Sequence, residues 1–247
     1  MDSSREHPHL NAVASSALLA AERALALVAP HDAPVLLVGE PGSGRSVLAR
    51  RLHRASPRDR GAWVQVDCRG ISTRTSPVKV LEEAIASAAT GSILLEEIDL
   101  LTAPLQVRLM VWLEASRAPR PRLLATTRRD LEDEVRRGTF REDLRSRVDI
   151  FQIRVPPLRE RQADIPALAR ELVAESAERL RVAAPLIPQD VEHLLIGYPW
   201  PGNVRELRNA MERAVALSTG PFIDAPTLPS RILASTAATT TPGMHST

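Results

Sequence analysis

The sequence predicts an α/β protein, a largely parallel sheet covered by helices on both faces, followed by a smaller all-helical domain. Three observations carry that expectation. Short apolar, β-rich runs alternate with helix-patterned stretches over the first 155 residues. The first of those runs, Val35 to Val38, leads straight into a glycine-rich turn, GEPGSG, and then into a helix-like stretch. Past the tandem Pro156-Pro157, which neither strand nor helix continues through, no further strand-like run occurs.

Composition bounds the class. The 247 residues are 44% hydrophobic, enough for one large domain or a core with a satellite. The single cysteine, Cys68, leaves no internal disulfide framework and suits a reducing compartment, so a cytoplasmic location is expected. No apolar run approaches the roughly 20 residues that span a bilayer, and the first 29 residues lack a secretory pattern, which predicts no membrane association. With 32 basic and 30 acidic residues the net charge is +2, and the interleaved charges form no basic tract that would demand nucleic acid.

In chain order, Leu10 to Ala29 carries Val13, Ala17, Leu18, Ala21, Leu25 and Val28 at helical spacing and stops at Pro30. Val35 to Val38 is apolar throughout, as a buried parallel strand is, and a helix is expected from about Gly44 to His53. Trp63 to Val66 reads as a second strand, Pro77 to Ala89 as a helix, and Ile93 to Leu95 as a third strand closing on Glu96-Glu97. Leu105 to Ala115 is helical, and Arg122 to Thr127 forms a fourth strand. A charged helix is expected from Asp130 to Arg137, and Phe140 to Ile153 runs from a helix into a fifth strand, VDIFQI. Helices are then expected over Ile165 to Leu180, Gln189 to Leu195 and Gly202 to Leu217. The resulting division is an N-terminal helix over 1–29, an α/β domain over 30–157, a helical domain over 158–233 and a disordered alanine, threonine and serine tail over 234–247.

The turn after the first strand matches the P-loop spacing at Gly39, Gly44, Arg45 and Ser46. Its loop, from Gly39 through Glu40, Pro41, Gly42, Ser43 and Gly44, offers backbone amides at its non-proline positions and, together with the helix start at Arg45, Ser46 and Val47, forms an anion site for nucleotide phosphates. Ser46 is placed to offer its hydroxyl to Mg²⁺. Arg45 stands where lysine is usual, a planar fork in place of a compact point charge on a flexible stem. Glu96 and Glu97 occupy the Walker B carboxylate positions at the end of the third strand, the first serving Mg²⁺ and the second the attacking water. Glu96 replaces the usual aspartate, and its added methylene strains the tight octahedral demands of Mg²⁺. The six histidines show no metal-binding spacing, and Cys68 reads as a buried thiol.

Three further stretches, FREDLRSRVDIF from Phe140, VPPLRERQADI from Val155 and YPWPGNVREL from Tyr198, resemble the AAA+ ATPase domain of bacterial enhancer-binding proteins, the activators of sigma-54 RNA polymerase. With GEPGSGRS and SILLEEI the resemblance covers about Leu10 to Leu233. It implies a three-layer AAA+ P-loop core with a helical lid, ATP or ADP and Mg²⁺ as cofactors, and a ring assembly. It casts Arg141 and Arg147 as arginine fingers reaching a nucleotide on the neighbouring subunit, and Arg205 as the sensor II arginine of the lid.

The chain departs from the family where the family does its work. Cys68 to Thr90 carries no GAFTGA-like insertion, and Glu114 to Arg122 leaves little of the second family loop, which argues against direct sigma-54 contact. Sensor I, normally asparagine, falls on Arg128, and no helix-turn-helix follows Leu207, so direct DNA binding is not expected. The resemblance with these departures implies a nucleotide-binding regulator of transcription with weak or absent ATPase activity, acting through protein contacts as a homo-oligomer or in a mixed ring with a related AAA+ protein. The alternative is an active AAA+ ATPase that remodels a partner other than sigma-54, and a nucleotide-free structural adaptor is the third reading.

Overall fold

A computed structural model describes residues 15–115 and 120–237. Their contacts separate into one compact unit over 20–155 and another over 156–237 that also takes the first turn of the N-terminal helix, residues 15–19. The division after Val155 falls at the tandem prolines.

The first unit is a three-layer α/β structure. Its elements are α1 (Ser16–Val28), β1 (Val35–Val38), α2 (Arg45–Arg54), β2 (Trp63–Asp67), α3 (Cys68–Ser72), α4 (Pro77–Ala88), β3 (Ser92–Glu96), α5 (Ala103–Glu114), β4 (Arg122–Thr127), α6 (Leu131–Arg136), α7 (Glu142–Val148) and β5 (Phe151–Arg154). The five strands lie in the order β2-β3-β4-β1-β5, and every neighbouring pair is parallel. Burial on both faces explains why β1, β3 and β4 read as continuous apolar runs: Leu36, Ile93, Leu95, Leu123 and Ala125 pack with Leu105, Leu109 and Leu144 of the covering helices. β1 is an interior strand, with Val35, Leu36 and Leu37 wholly buried and hydrogen-bonded neighbours on either side.

Buried Arg122, at the start of β4, ties α1 to the sheet. Its guanidinium donates to the carbonyls of Val28 (2.8 Å), Ala29 (3.1 Å) and Ala33 (3.2 Å), joining the His31 amide on Val28 to close the carbonyl end of α1.

Two local differences from the sequence expectation have physical causes. Val148 and Asp149 belong to the end of α7 and not to the fifth strand, which starts at Phe151. Val148 is buried in the core from the helix, so its apolar β-branched side chain satisfies either reading. The turn after β2 holds a short helix, α3, because the Asp67 carboxylate accepts the Arg69 amide at 2.9 Å and caps it. Only residues 73–76 join α3 to α4, so no long insertion lies between β2 and β3.

The second unit is helical: α8 (Ile165–Leu180), α9 (Gln189–Gly197), α10 (Asn203–Leu217) and α11 (Ser230–Ala237), with single-turn 3₁₀ segments before α8 and before α11. Leu168, Leu172, Leu195, Trp200, Leu207 and Met211 make its core. The WPGN run is the hinge of this packing. Trp200 and Asn203 both take positive φ, 50° and 54°, Trp200 stacks edge-on with Tyr198 at 4.9 Å, and the Asn203 amide oxygen accepts the Leu158 backbone N–H at 2.7 Å. α11 carries helical structure to Ala237, four residues into the segment expected to be a tail; 238–247 lie outside the described residues, as do 10–14 of the expected N-terminal helix. No helix among the described residues is long and apolar enough to cross a membrane.

Candidate functional site

The P-loop is built by β1 handing the chain to α2 at the carboxyl edge of the sheet. Gly39 donates its amide to the Thr127 carbonyl on β4 (3.1 Å), and Ser43 donates to Glu40 (3.2 Å), folding the loop over the strand ends. Glycine is required twice for different reasons. A Cβ on Gly39 would stand 2.7 Å from the Val155 carbonyl oxygen, and Gly44 sits at φ 104°, where L side chains are strained. Gly42 is likewise left-handed at 78°. Ser43 is buried, Pro41 and Val47 are exposed, and the N-terminus of α2 opens directly from Gly44 with no side-chain cap, leaving its first amides for an anion.

The charged side chains of this edge are already engaged with one another. The Arg45 guanidinium forms an ion pair through Nη2 with Glu97 Oε1. Both are largely buried, 8% and 19% exposed, and each keeps a second buried polar atom, Arg45 Nη1 and Glu97 Oε2, without a hydrogen-bond partner among the described residues. Ser46 donates its hydroxyl to Glu96 Oε1, and the other oxygen, Oε2, accepts from Gln65 Nε2 on β2 at 2.9 Å. Glu97 is held in a left-handed backbone (φ 53°, ψ 57°), and its amide donates to Thr126 Oγ1 at 3.2 Å. Because β4 lies between β1 and β3, the Arg45–Glu97 and Ser46–Glu96 contacts cross the end of β4, where its last two residues are threonines.

Beneath the carboxylates, Thr127 Oγ1 donates to the buried Asp99 carboxylate at 2.9 Å, and Arg129 stands 3.6 Å from the other Asp99 oxygen. Burial pushes the Asp99 carboxyl above its ordinary value, the Thr127 hydrogen bond opposes this, and the nearby Glu97 charge adds to it. Burial, with Asp67, Asp99, Glu96 and Glu97 around it, drives the Cys68 thiol far up, so it is no nucleophile. Among the described residues no cluster of three His, Cys, Asp or Glu side chains gathers for a metal, so a divalent ion here would rely on Ser46, Glu96 and oxygens of its own ligand.

Arg141, Arg147 and Arg128 make none of this network's hydrogen bonds or ion pairs. Arg141, at the N-terminus of α7, is exposed and closed in a fork with Asp143 (2.9 and 2.6 Å), while its amide is received by Gln106 at 2.9 Å. Arg147 is exposed at the other end of α7 and makes no ion pair among the described residues. Arg128, just past β4, is exposed. Arg205 is exposed on the first turn of α10 in the helical unit. Gln65, Thr126 and Asp99 were not expected at the site. Alternation along WVQVD places Gln65 with Asp67 on one face of β2, but only the β2–β3 register, Asp67 opposite Glu96, brings that face to the carboxylate.

This geometry meets its comparison at residues 13–158, which match the Sigma-54 interaction domain, while 159–244 match the AAA+ ATPase lid domain. The chain belongs to the sigma-54 interaction domain family. The chain is 38% identical over 239 residues to the transcriptional regulatory protein ZraR of Klebsiella oxytoca, covering 87% of the chain and 54% of that protein. It is 36% identical to the transcriptional regulatory protein FlbD of Caulobacter vibrioides, covering 80% and 49%. It thus spans about half the length of these curated relatives. NtrX from Brucella abortus, solved in complex with ADP and also with ATP, superposes with a TM-score of 0.78 at 28% identity over 90% of the chain and 56% of NtrX. Domain III of the replication initiator DnaA of Thermotoga maritima shares the fold, with a TM-score of 0.64 at 15% identity over 93% of the chain and 95% of that domain. The expected AAA+ α/β core with a helical lid is what the molecule has.

Proposed function

We propose that the chain is a nucleotide-binding AAA+ regulator that holds ATP or ADP with Mg²⁺, turns it over weakly or not at all, and acts on transcription through protein contacts. The observation that carries this reading is the ion pair between Arg45 and Glu97. The residue expected to polarise an attacking water is spent on the residue expected to neutralise phosphate. Since phosphoryl transfer depends almost wholly on positioning and charge, a mutual engagement of these two groups impairs hydrolysis more than binding.

Binding, by contrast, has its parts in place. The Gly42 and Gly44 amides and the start of α2 would cradle the phosphates, and the unpartnered Arg45 Nη1 is a further donor for a phosphate oxygen. Ser46 and Glu96 would hold Mg²⁺, which when bound offsets the phosphate charge. NtrX, solved with both ADP and ATP, supports the same use of this fold here. Arg205 is the sensor II candidate of the helical unit, and Arg141 and Arg147 are assigned to a neighbouring subunit's nucleotide in a homo-oligomer or a mixed ring with a related AAA+ protein. The short 73–76 link between α3 and α4 leaves no loop there for sigma-54, so the partner is contacted by another surface.

Nucleotide affinity and steady-state turnover measured on one sample test the reading. Saturable binding of ATP and ADP with turnover far below one per second supports it; robust turnover abolished by Arg147→Ala defeats it. The Ser46–Glu96 hydrogen bond favours that second outcome, an active ATPase remodelling another partner, because it keeps the longer carboxylate at the expected metal position.

A further inference from the structure

We propose that Gln65 is a positioning residue that makes Glu96 usable as a metal-binding carboxylate. The inference rests on the reading that this site binds nucleotide with Mg²⁺.

Glutamate at this position carries one methylene and one torsion more than the aspartate usual there, so its carboxylate is less fixed by its own backbone. The structure supplies two tethers, one to each oxygen: the Ser46 hydroxyl on Oε1 and the Gln65 amide on Oε2, at 2.9 Å. Ser46 is itself expected to serve the metal, so Gln65 alone is free of other duty. It lies exposed on β2, the edge strand, paired only with β3 among the described residues, where it has no core to fill. Its neighbour on the same face, Asp67, cannot substitute, because that carboxylate would repel Glu96 and is committed to the Arg69 amide.

The choice of an amide has a chemical reason. A lysine or arginine in this place would hold Glu96 but cancel the charge that Mg²⁺ requires. A neutral Nε2 donor fixes the plane of the carboxylate and leaves its full charge and its second lone pairs for the ion.

The test is ATP affinity of the full chain by calorimetry, in Mg²⁺ and in EDTA. Gln65→Ala is expected to weaken ATP binding about tenfold in Mg²⁺, the low end for loss of a partner behind a metal ligand, and to leave binding in EDTA unchanged. Shortening the carboxylate removes the need for the tether, so Gln65→Ala combined with Glu96→Asp should return Mg²⁺-dependent affinity to within about twofold of the parent. Damage to strand β2 would not be repaired by a change on β3. Equal losses in Mg²⁺ and EDTA, no loss in either, or no rescue by Glu96→Asp would each overturn the proposal. A parent chain that binds ATP equally in both conditions overturns it while nucleotide binding stands; a parent that binds ATP in neither removes the nucleotide reading and this proposal together.

Discussion

Replacing Arg45 by lysine separates the two jobs that this side chain now combines. In the structure the guanidinium spans from the start of α2, across the end of β4, to Glu97 beyond β3. Adjacent strands are spaced about 4.8 Å apart, so bridging two intervals takes long side chains from both ends. Lysine retains the charge but gives up the fork and about one bond of reach, so Glu97 is released while a cation stays at the phosphates. Breaking a fully buried pair by deleting one partner costs about 3–5 kcal/mol, but Glu97 is 19% exposed and the charge is kept, which reduces the expected loss to about 1 kcal/mol. A domain of this size should then melt about 2–4 °C lower. A freed general base contributes about 10²–10⁴ in rate; with Glu96 and Arg128 still altered, Arg45→Lys is expected near the bottom of that range, about 10²-fold above the parent. Phosphate release at saturating Mg-ATP measures it, and adding Glu97→Gln should erase the gain. Should Arg45→Lys bind ATP as tightly as the parent and turn it over no faster, the ion pair is not what restrains hydrolysis, and the reasoning fails.

Other consequences concern stability. His53 is buried against Trp63, with Nδ1 2.9 Å from Ser92 Oγ, and burial, followed by the charge of Arg50, lowers its pKa below the ordinary 6.5. The unfolded chain therefore binds the extra proton first, so stability is full above pH 6.5 and falls as pH drops through the folded-state value; the midpoint of urea unfolding against pH should show this, and His53→Asn should flatten it. Arg122→Met orphans the carbonyls of Ala29 and Ala33 and leaves Val28 with the His31 amide, partly offset by relief of a buried charge, and should cost about 2 kcal/mol by the same assay. Asn203→Ala removes the acceptor of the Leu158 amide and places a methyl side chain at φ 54°, for a loss of about 2–4 kcal/mol, whereas Asn203→Gly should recover about 1 kcal/mol of it by relieving only the backbone strain.

What could be read from the chain before folding was whatever repeats locally or turns locally. Apolar runs with both faces buried gave β1, β3 and β4, and the need for glycine at Gly39 and Gly44 marked the loop, because Cβ clash and positive φ are properties of a few residues. Val148 misled, since a buried valine at a helix end and one in a strand obey the same hydrophobic rule, and only packing against Leu144 and Phe140 chooses between them. The candidate site divided the same way. Arg45, Ser46, Glu96 and Glu97 were legible as residue types at motif spacing, each expected to face a nucleotide. Their engagement with one another was not, since Arg45 and Glu97 are 52 positions apart and meet only because the strand order puts a threonine-ended β4 between β1 and β3. Gln65 was invisible for a related reason: nothing within WVQVD distinguishes a solvated glutamine from one that holds a carboxylate on the next strand, and the parallel register that decides it is a property of the sheet. The reading of this protein as a holder more than a spender of nucleotide therefore rests on one long-range contact, Arg45 with Glu97, and a substitution at either end can move it.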